Sequence, residues 1–184
     1  MLFRSLFSED ITGPLFVETD PAPTHYLLPA EFGNGLKGQT KGIEISPEWR
    51  LNSIWRLRGS YSYLHMNLEK SPGSLDIGTA PQITGSSPAH QVAIQSSFDL
   101  PKSISFDIDY RYLSALPFQE VRAYSTADAR LAWQLRHGFE LSVVGRNLLQ
   151  PFHPEFGTDP GIPPATITLV GIRRSAYIKL TWVH

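Results

Sequence analysis

The chain is 184 residues long, with 16 Lys+Arg against 17 Asp+Glu for a net charge of −1, and it contains no cysteine. That length builds one domain with a sizeable core or a piece of something larger, and the balanced charge leaves no electrostatic footprint for nucleic acid. The missing cysteine excludes disulfide staples, thiolate metal sites and cysteine catalysis.

No apolar run approaches about 18 residues, so a transmembrane helix is not expected. The segment from Met1 to Asp10 is too short and too soon acidic to read as a secretory signal peptide. Helical periodicity is hard to find, while 15 Pro and 14 Gly fall at intervals suited to strands and turns. Leu2–Ser8 is the first expected strand. Ile11–Phe32 reads as a long proline-rich loop with an extended piece at His25–Ala30. Leu36–Leu51 and Ile54–Met66 follow as strands joined by a tight turn at Asn52-Ser53. After the long loop Asn67–Pro88 comes the strand Ala89–Asp99, then a tight turn at Pro101-Lys102.

The strand Ser103–Ser114 carries the clearest signal. Ile104, Phe106, Ile108, Tyr110 and Tyr112 take one face, and Ser103, Ser105, Asp107, Asp109 and Arg111 the other. Only a β-strand alternates its side chains this way, so this segment separates an apolar medium from a wet one. Beyond the intermediate connection Ala115–Arg122 lie the strands Ala123–Leu135 and Phe139–Leu149, joined by Arg136-His137-Gly138. The long loop Gln150–Arg174 leads to the last strand, Ser175–Val183.

Blocks of about ten residues suffice to cross a bilayer at a tilt, and connections that alternate short and long put all tight turns at one rim. The aromatics are sorted in the same way. Trp49, Trp55, Trp133 and Trp182 fall at the tight-turn rim, and Tyr61, Tyr63, Tyr110, Tyr112 and Tyr124 at the long-loop ends. Amphipathic rings prefer the two membrane interfaces, so this sorting points to lipid and not a protein core as the apolar medium. The expected fold is all-β: an antiparallel up-and-down transmembrane β-barrel segment of about eight strands.

Face matching across the Asn52 turn pairs Trp49 with Trp55 and Glu48 with Arg56. Across the His137 turn it pairs Trp133 with Leu141 and Asp128 with Arg146. Opposite charges facing each other are the stabilising arrangement, and they form a charged wall expected to face the lumen. Its members are Glu44, Glu48, Arg56, Arg58, Asp99, Asp107, Asp109, Arg111, Asp128, Arg130, Glu140, Arg146 and Lys179.

No catalytic constellation appears, so the chain does not read as an enzyme and no cofactor is expected. The six histidines are scattered, with no pair at metal-ligand spacing on a strand face. His90 begins a strand on its apolar side, and His137 sits in a turn. Asp107 and Asp109 read as partners for Arg111 or for arginines on adjacent strands. Gly33-Asn34-Gly35 is loop punctuation, since no helix follows to cradle a phosphate. Ligand contacts would come from the long loops, with Glu69, Lys70, Asp76, His153, Glu155 and Asp159 as polar tips.

Several segments resemble the C-terminal part of a TonB-dependent outer-membrane receptor. Asn34 followed by Gly42-Ile43-Glu44 resembles the descending strand of that family, leading into Trp49 and the strand from Trp55 to Leu64. Ser87-Pro88-Ala89-His90-Gln91 resembles its proline-containing entry into the next strand. Leu141 to Leu149 with His153-Pro154-Glu155-Phe156 is similar to its penultimate strand and following loop, and Arg174 to Trp182 to its terminal strand. The family's usual terminal aromatic is replaced by His184. The resemblance implies a barrel of about 22 strands plugged by an N-terminal domain, of which this chain would be the last third. It also implies outer-membrane lipid, the remaining barrel and plug, and a TonB complex as partners, and import of a nutrient such as an iron–siderophore complex.

Two other readings make different demands. An autonomous eight-stranded outer-membrane barrel with a structural or adhesive role requires Leu2–Ser8 to pair with Ser175–Val183. A soluble β-barrel binding a small apolar ligand requires Phe106, Ile108, Leu131 and Val143 inside, with Asp107, Asp109 and Arg130 outside.

Overall fold

The computed structural model describes residues 2–14, 16–19, 24–27, 29–135, 138–157 and 170–182. The main-sheet strands are β1 (Leu2–Ile11), β4 (Ala30–Ile45), β5 (Glu48–Arg50), β6 (Trp55–Lys70), β7 (His90–Leu100), β8 (Ile104–Leu113), β9 (Tyr124–Gln134), β10 (Phe139–Arg146) and β13 (Ser175–Trp182). Two ribbons stand apart, β2 (Phe16–Glu18) with β3 (His25–Leu27) and β11 (Phe152–Phe156) with β12 (Val170–Arg173). One α-helix, α1 (Thr79–Gly85), and a short 3-10 helix (Pro117–Gln119) complete the described elements.

The sheet is antiparallel and follows the order β1-β4-β6-β7-β8-β9-β10-β13, with β5 pairing β6 beside that path. The all-β expectation of about eight meandering strands is met. The path begins at β1 and ends at β13, so among the described residues the sheet is not closed. The pairing that an autonomous eight-stranded barrel demands is therefore not formed.

The chain divides into two compact units. In the first (Met1–Lys41 with His65–Ser87), α1 packs on β1, and Leu36, Ala80 and Thr79 are buried. The buried Ser8 hydroxyl accepts the Gly35 N–H at 2.7 Å, and the Ser74 hydroxyl donates to Asp10 at 2.8 Å. This unit departs most from expectation. β4 begins at Ala30 and not Leu36, and Ile11–Phe32 contains the β2–β3 ribbon. β6 continues to Lys70, so the expected loop Asn67–Pro88 shortens and also holds α1.

The second unit (Gly42–Leu64 with Pro88–His184) holds the regular ladder. Its faces differ in chemistry and in cover. On the apolar face Leu131 is 48 % exposed and Val143 50 %, and Trp133 and Leu141 are exposed with them. On the other face Thr126, Ala132 and Ser142 are 4 %, 2 % and 1 % exposed. On β9 and β10 the polar face is thus the sheltered one, whereas Glu48, Arg58, Asp99 and Arg111 on the same side of the sheet are exposed. The soluble-barrel reading needs Leu131 and Val143 inside, and neither is buried, while Phe106, Ile108, Asp107 and Asp109 are all half-buried.

Rings line the apolar face near the tight turns. Trp55 stacks on Phe98 at 5.5 Å, Phe98 on Phe106 at 6.1 Å, and Phe139 on Trp182 at 5.9 Å. At the other strand ends the Tyr61 hydroxyl meets His90 Nδ1 at 3.0 Å, with Tyr63 beside the same imidazole. His90 is thus an outward rim residue, as its position in the sequence implied.

Two details of strand pairing correct the sequence reading. Glu48 faces Arg58 and Trp49 faces Leu57, two residues away from the expected pairs. The cause is local: the Asn52 carboxamide accepts the N–H groups of Ile54 and Trp55, which widens the expected two-residue turn. The expected strand Leu36–Leu51 is broken between β4 and β5 at Pro47, which has no N–H for a ladder. Trp133 opposite Leu141 is as expected. Arg136 and His137 of that turn lie outside the described residues.

Candidate functional site

Alternation along β5 to β10 brings the expected charged wall onto one face, and its members pair across strands. Glu48 and Arg58 approach to 3.3 Å, and Arg56 and Asp99 to 3.0 Å, in open positions. Arg130 is better covered and bridges two carboxylates, donating to Asp107 at 3.1 Å and to Glu140. Glu140 in turn accepts from the Gln134 amide at 2.7 Å. A charge between two opposite charges on neighbouring strands ties three strands together with charge-assisted bonds.

Asp109 departs from that pattern. It stands directly opposite Asp128, a like charge, with Gln95 on its other side. Arg111 comes within 4.0 Å of Asp128 and moderates the repulsion. Arg58, Gln95, Asp109, Arg111 and Asp128 line a recess of about 450 Å³ on the polar face. Glu44 is exposed on β4, alternating with the exposed Ile43 and Ile45. Arg146 does not form the expected ion pair with Asp128; its guanidinium lies over the Tyr177 ring at 5.8 Å. Asp128 instead accepts the Asn147 N–H at 2.9 Å.

The expected ligand tips of the long loops fare differently. Glu69 is exposed but lies in β6 and not in a loop. Asp76 is no tip at all. It is 1 % exposed, and its carboxylate accepts the N–H groups of Gly78 and Thr79 at the start of α1. His153 is likewise buried, at 2 % exposed, on β11 with Glu155 half-buried beside it. Asp159 lies outside the described residues.

His153 belongs to a cluster that the sequence did not announce. Its ring stacks on Tyr124 at 4.4 Å, and its Nδ1 meets the Asn147 Oδ1 at 3.1 Å. Tyr124 therefore faces the sheltered side, and the expectation that it joins the outward tyrosines is corrected. Asn147 is 2 % exposed, has φ of +50°, and donates from Nδ2 to the Ile172 carbonyl at 3.0 Å. The available signal was an asparagine closing a strand, since asparagine tolerates the left-handed region that ends a ladder abruptly.

Among the described residues no group of three or more His, Cys, Asp or Glu side chains is placed to hold a metal ion.

Neither a protein-family model nor a curated protein matches the sequence. Among solved structures, the chain is similar to the siderophore receptor PiuA from Acinetobacter baumannii, with a TM-score of 0.61 at 15 % identity. The match covers 83 % of this chain and 22 % of that one, so the chain spans about a fifth of the receptor's length. At that identity the likeness concerns the fold: an antiparallel β-barrel segment.

Proposed function

We propose that this chain is the C-terminal barrel portion of a TonB-dependent outer-membrane receptor, whose intact form imports a nutrient such as an iron–siderophore complex. The observation that carries the reading is the inverted cover of β9 and β10, with Leu131 and Val143 exposed while Thr126, Ala132 and Ser142 are sheltered. Large apolar patches are rare on monomers in water, and here lipid chains satisfy them. The turn-end aromatics and the paired charges opposite them are the arrangement a lipid-facing, water-lined wall requires.

In this reading the outer membrane of a Gram-negative cell is the location, and further strands of the receptor cover the edges of β1 and β13. Bare edges in lipid cost several kcal/mol for each unsatisfied backbone group. The plug and the TonB complex belong to the rest of the receptor. Neither catalysis nor a cofactor has a part in it.

The test is quenching of tryptophan fluorescence by brominated lipid chains, on the chain folded into bilayers. Trp133 and Trp182 point into the apolar medium, so strong quenching is expected and should fall when each is replaced by Phe. A monodisperse, detergent-free chain whose tryptophans escape brominated lipid contradicts the reading.

A further inference from the structure

The β11–β12 ribbon carries its larger apolar side chains in the open: Phe152, Phe156 and Ile172 are all exposed. It meets the polar wall through Asn147, which holds both of its strands. The Nδ2 of Asn147 donates to Ile172 on β12, and its Oδ1 faces His153 on β11. Gly157 adds a backbone contact, lying too close to the Gln119 carbonyl for any Cβ to fit.

That geometry fixes the tautomer of His153. Because the Asn147 Nδ2 is committed to Ile172, its Oδ1 is an acceptor, and the proton of a neutral imidazole must sit on Nδ1. The Nε2 is then a bare lone pair. It is buried without a hydrogen-bond partner among the described residues, 3.6 Å from the Glu155 Oε1. Two acceptors face each other in the neutral state. Once Nε2 is protonated it becomes a donor, and a charge-assisted bond to Glu155 can close.

We propose that His153 is a proton-operated latch that fastens the β11–β12 ribbon to the wall when its Nε2 is protonated and loosens it when that proton leaves. Glu155 on β11 lies beside the Nε2, and the Tyr124 ring on β9 stacks against the imidazole. Arg111 on β8 is drawn to Asp128, whose carboxylate also holds Asn147. Arg146 on β10 is turned to Tyr177, and Arg173 on β12 shares the opposite ribbon face with its register partner Phe152. Glu120, in the turn against Gly157, is exposed.

Hydrogen exchange on the whole chain in lipid nanodiscs tests the latch, comparing the amides of residues 152, 153, 155, 156 and 170–173 between acidic and alkaline buffer. After correction for intrinsic exchange, ribbon protection should fall about tenfold on the alkaline side while β8 and β9 hold theirs. His153→Gln should remove the dependence. Glu155→Gln should flatten it, because a carboxamide offers an N–H to the bare Nε2 of the neutral ring and its oxygen to the N–H of the protonated one. A pH-independent ribbon in the wild-type chain overturns the proposal. So does an equal loss of protection in β8 and β9, or a Glu155→Gln variant that keeps the full wild-type dependence.

Discussion

Arg130 on β9 stands directly opposite Asp107 on β8 and donates to it at 3.1 Å, while its second amino group reaches Glu140 on β10. Removing the guanidinium by Arg130→Ala leaves two half-covered carboxylates facing a common gap. An exposed ion pair contributes about 0–1 kcal/mol, and a bridged, partly covered one somewhat more, so a loss of about 1–2 kcal/mol is expected. Urea unfolding of the folded chain in lipid checks it. Arg130→Glu should cost more, and the further substitution Asp107→Arg should recover part of that loss.

On the opposite face the expected signs reverse between positions one residue apart. Leu131 is half exposed and Ala132 is buried against the polar side. Leu131 lies two residues inside the Trp133 rim, so Leu131→Arg should cost about 1–3 kcal/mol of bilayer-assembled stability, between the interface and midplane values for arginine. In water the same change at a half-exposed site would be nearly neutral. Comparable stability of wild type and Leu131→Arg in bilayers would mean that hydrocarbon does not touch this face.

The second unit was readable from the sequence because one physical rule governs it. Ile104, Phe106 and Ile108 alternate with Ser105, Asp107 and Asp109, and the period of two leaves one choice of faces and nearly one choice of register. Trp133 opposite Leu141 follows directly. What failed failed for local reasons. Asn52 captured two backbone N–H groups and slid the β5–β6 pairing by two residues, and no alternation pattern records such a capture. Asp76 and His153 read as solvent tips because charge in a loop ordinarily seeks water. Asp76 is instead buried where it accepts the N–H groups two and three residues on, at the start of α1, and His153 where the fold brings it against Asn147 and the distant Tyr124.

Asp76 is the clearest case for substitution. Its carboxylate accepts the N–H groups of Gly78 and Thr79 from a fully buried position. Asp76→Ala leaves those donors without their acceptor, at a cost of about 1–3 kcal/mol. Asp76→Asn keeps an oxygen in place and should recover much of it. Limited proteolysis between residues 71 and 90 reports the effect, with faster cleavage of the alanine variant.

The tight turn before β8 stores strain that can be released. Lys102 and Ser103 have φ of +64° and +59°, in the left-handed region where a Cβ crowds the following carbonyl. Both side chains are exposed. Ser103→Gly or Lys102→Asn should therefore stabilise the chain by about 0.5–1 kcal/mol, visible as a higher unfolding midpoint. A lower midpoint would mean that one of these side chains has a partner worth more than the strain.

Two glycines on strands test how tightly neighbouring backbones approach, and they should respond in opposite directions. A Cβ on Gly38 would lie 2.3 Å from the Asn67 carbonyl oxygen and 3.0 Å from the Leu68 Cα. Those atoms are backbone and cannot swing aside, so Gly38→Ala must push β4 away from β6 and lengthen ladder bonds, costing about 1–3 kcal/mol. A Cβ on Gly59 meets only the Pro47 ring, at 3.5 Å and 3.9 Å, which is ordinary contact. Gly59→Ala therefore fits, and it narrows the unfolded ensemble, for a gain of about 0.4–1 kcal/mol. Unfolding midpoints for the two variants should move to opposite sides of the wild type. Equal shifts would show that backbone entropy, and not the approach of β4 to β6, sets the response at Gly38.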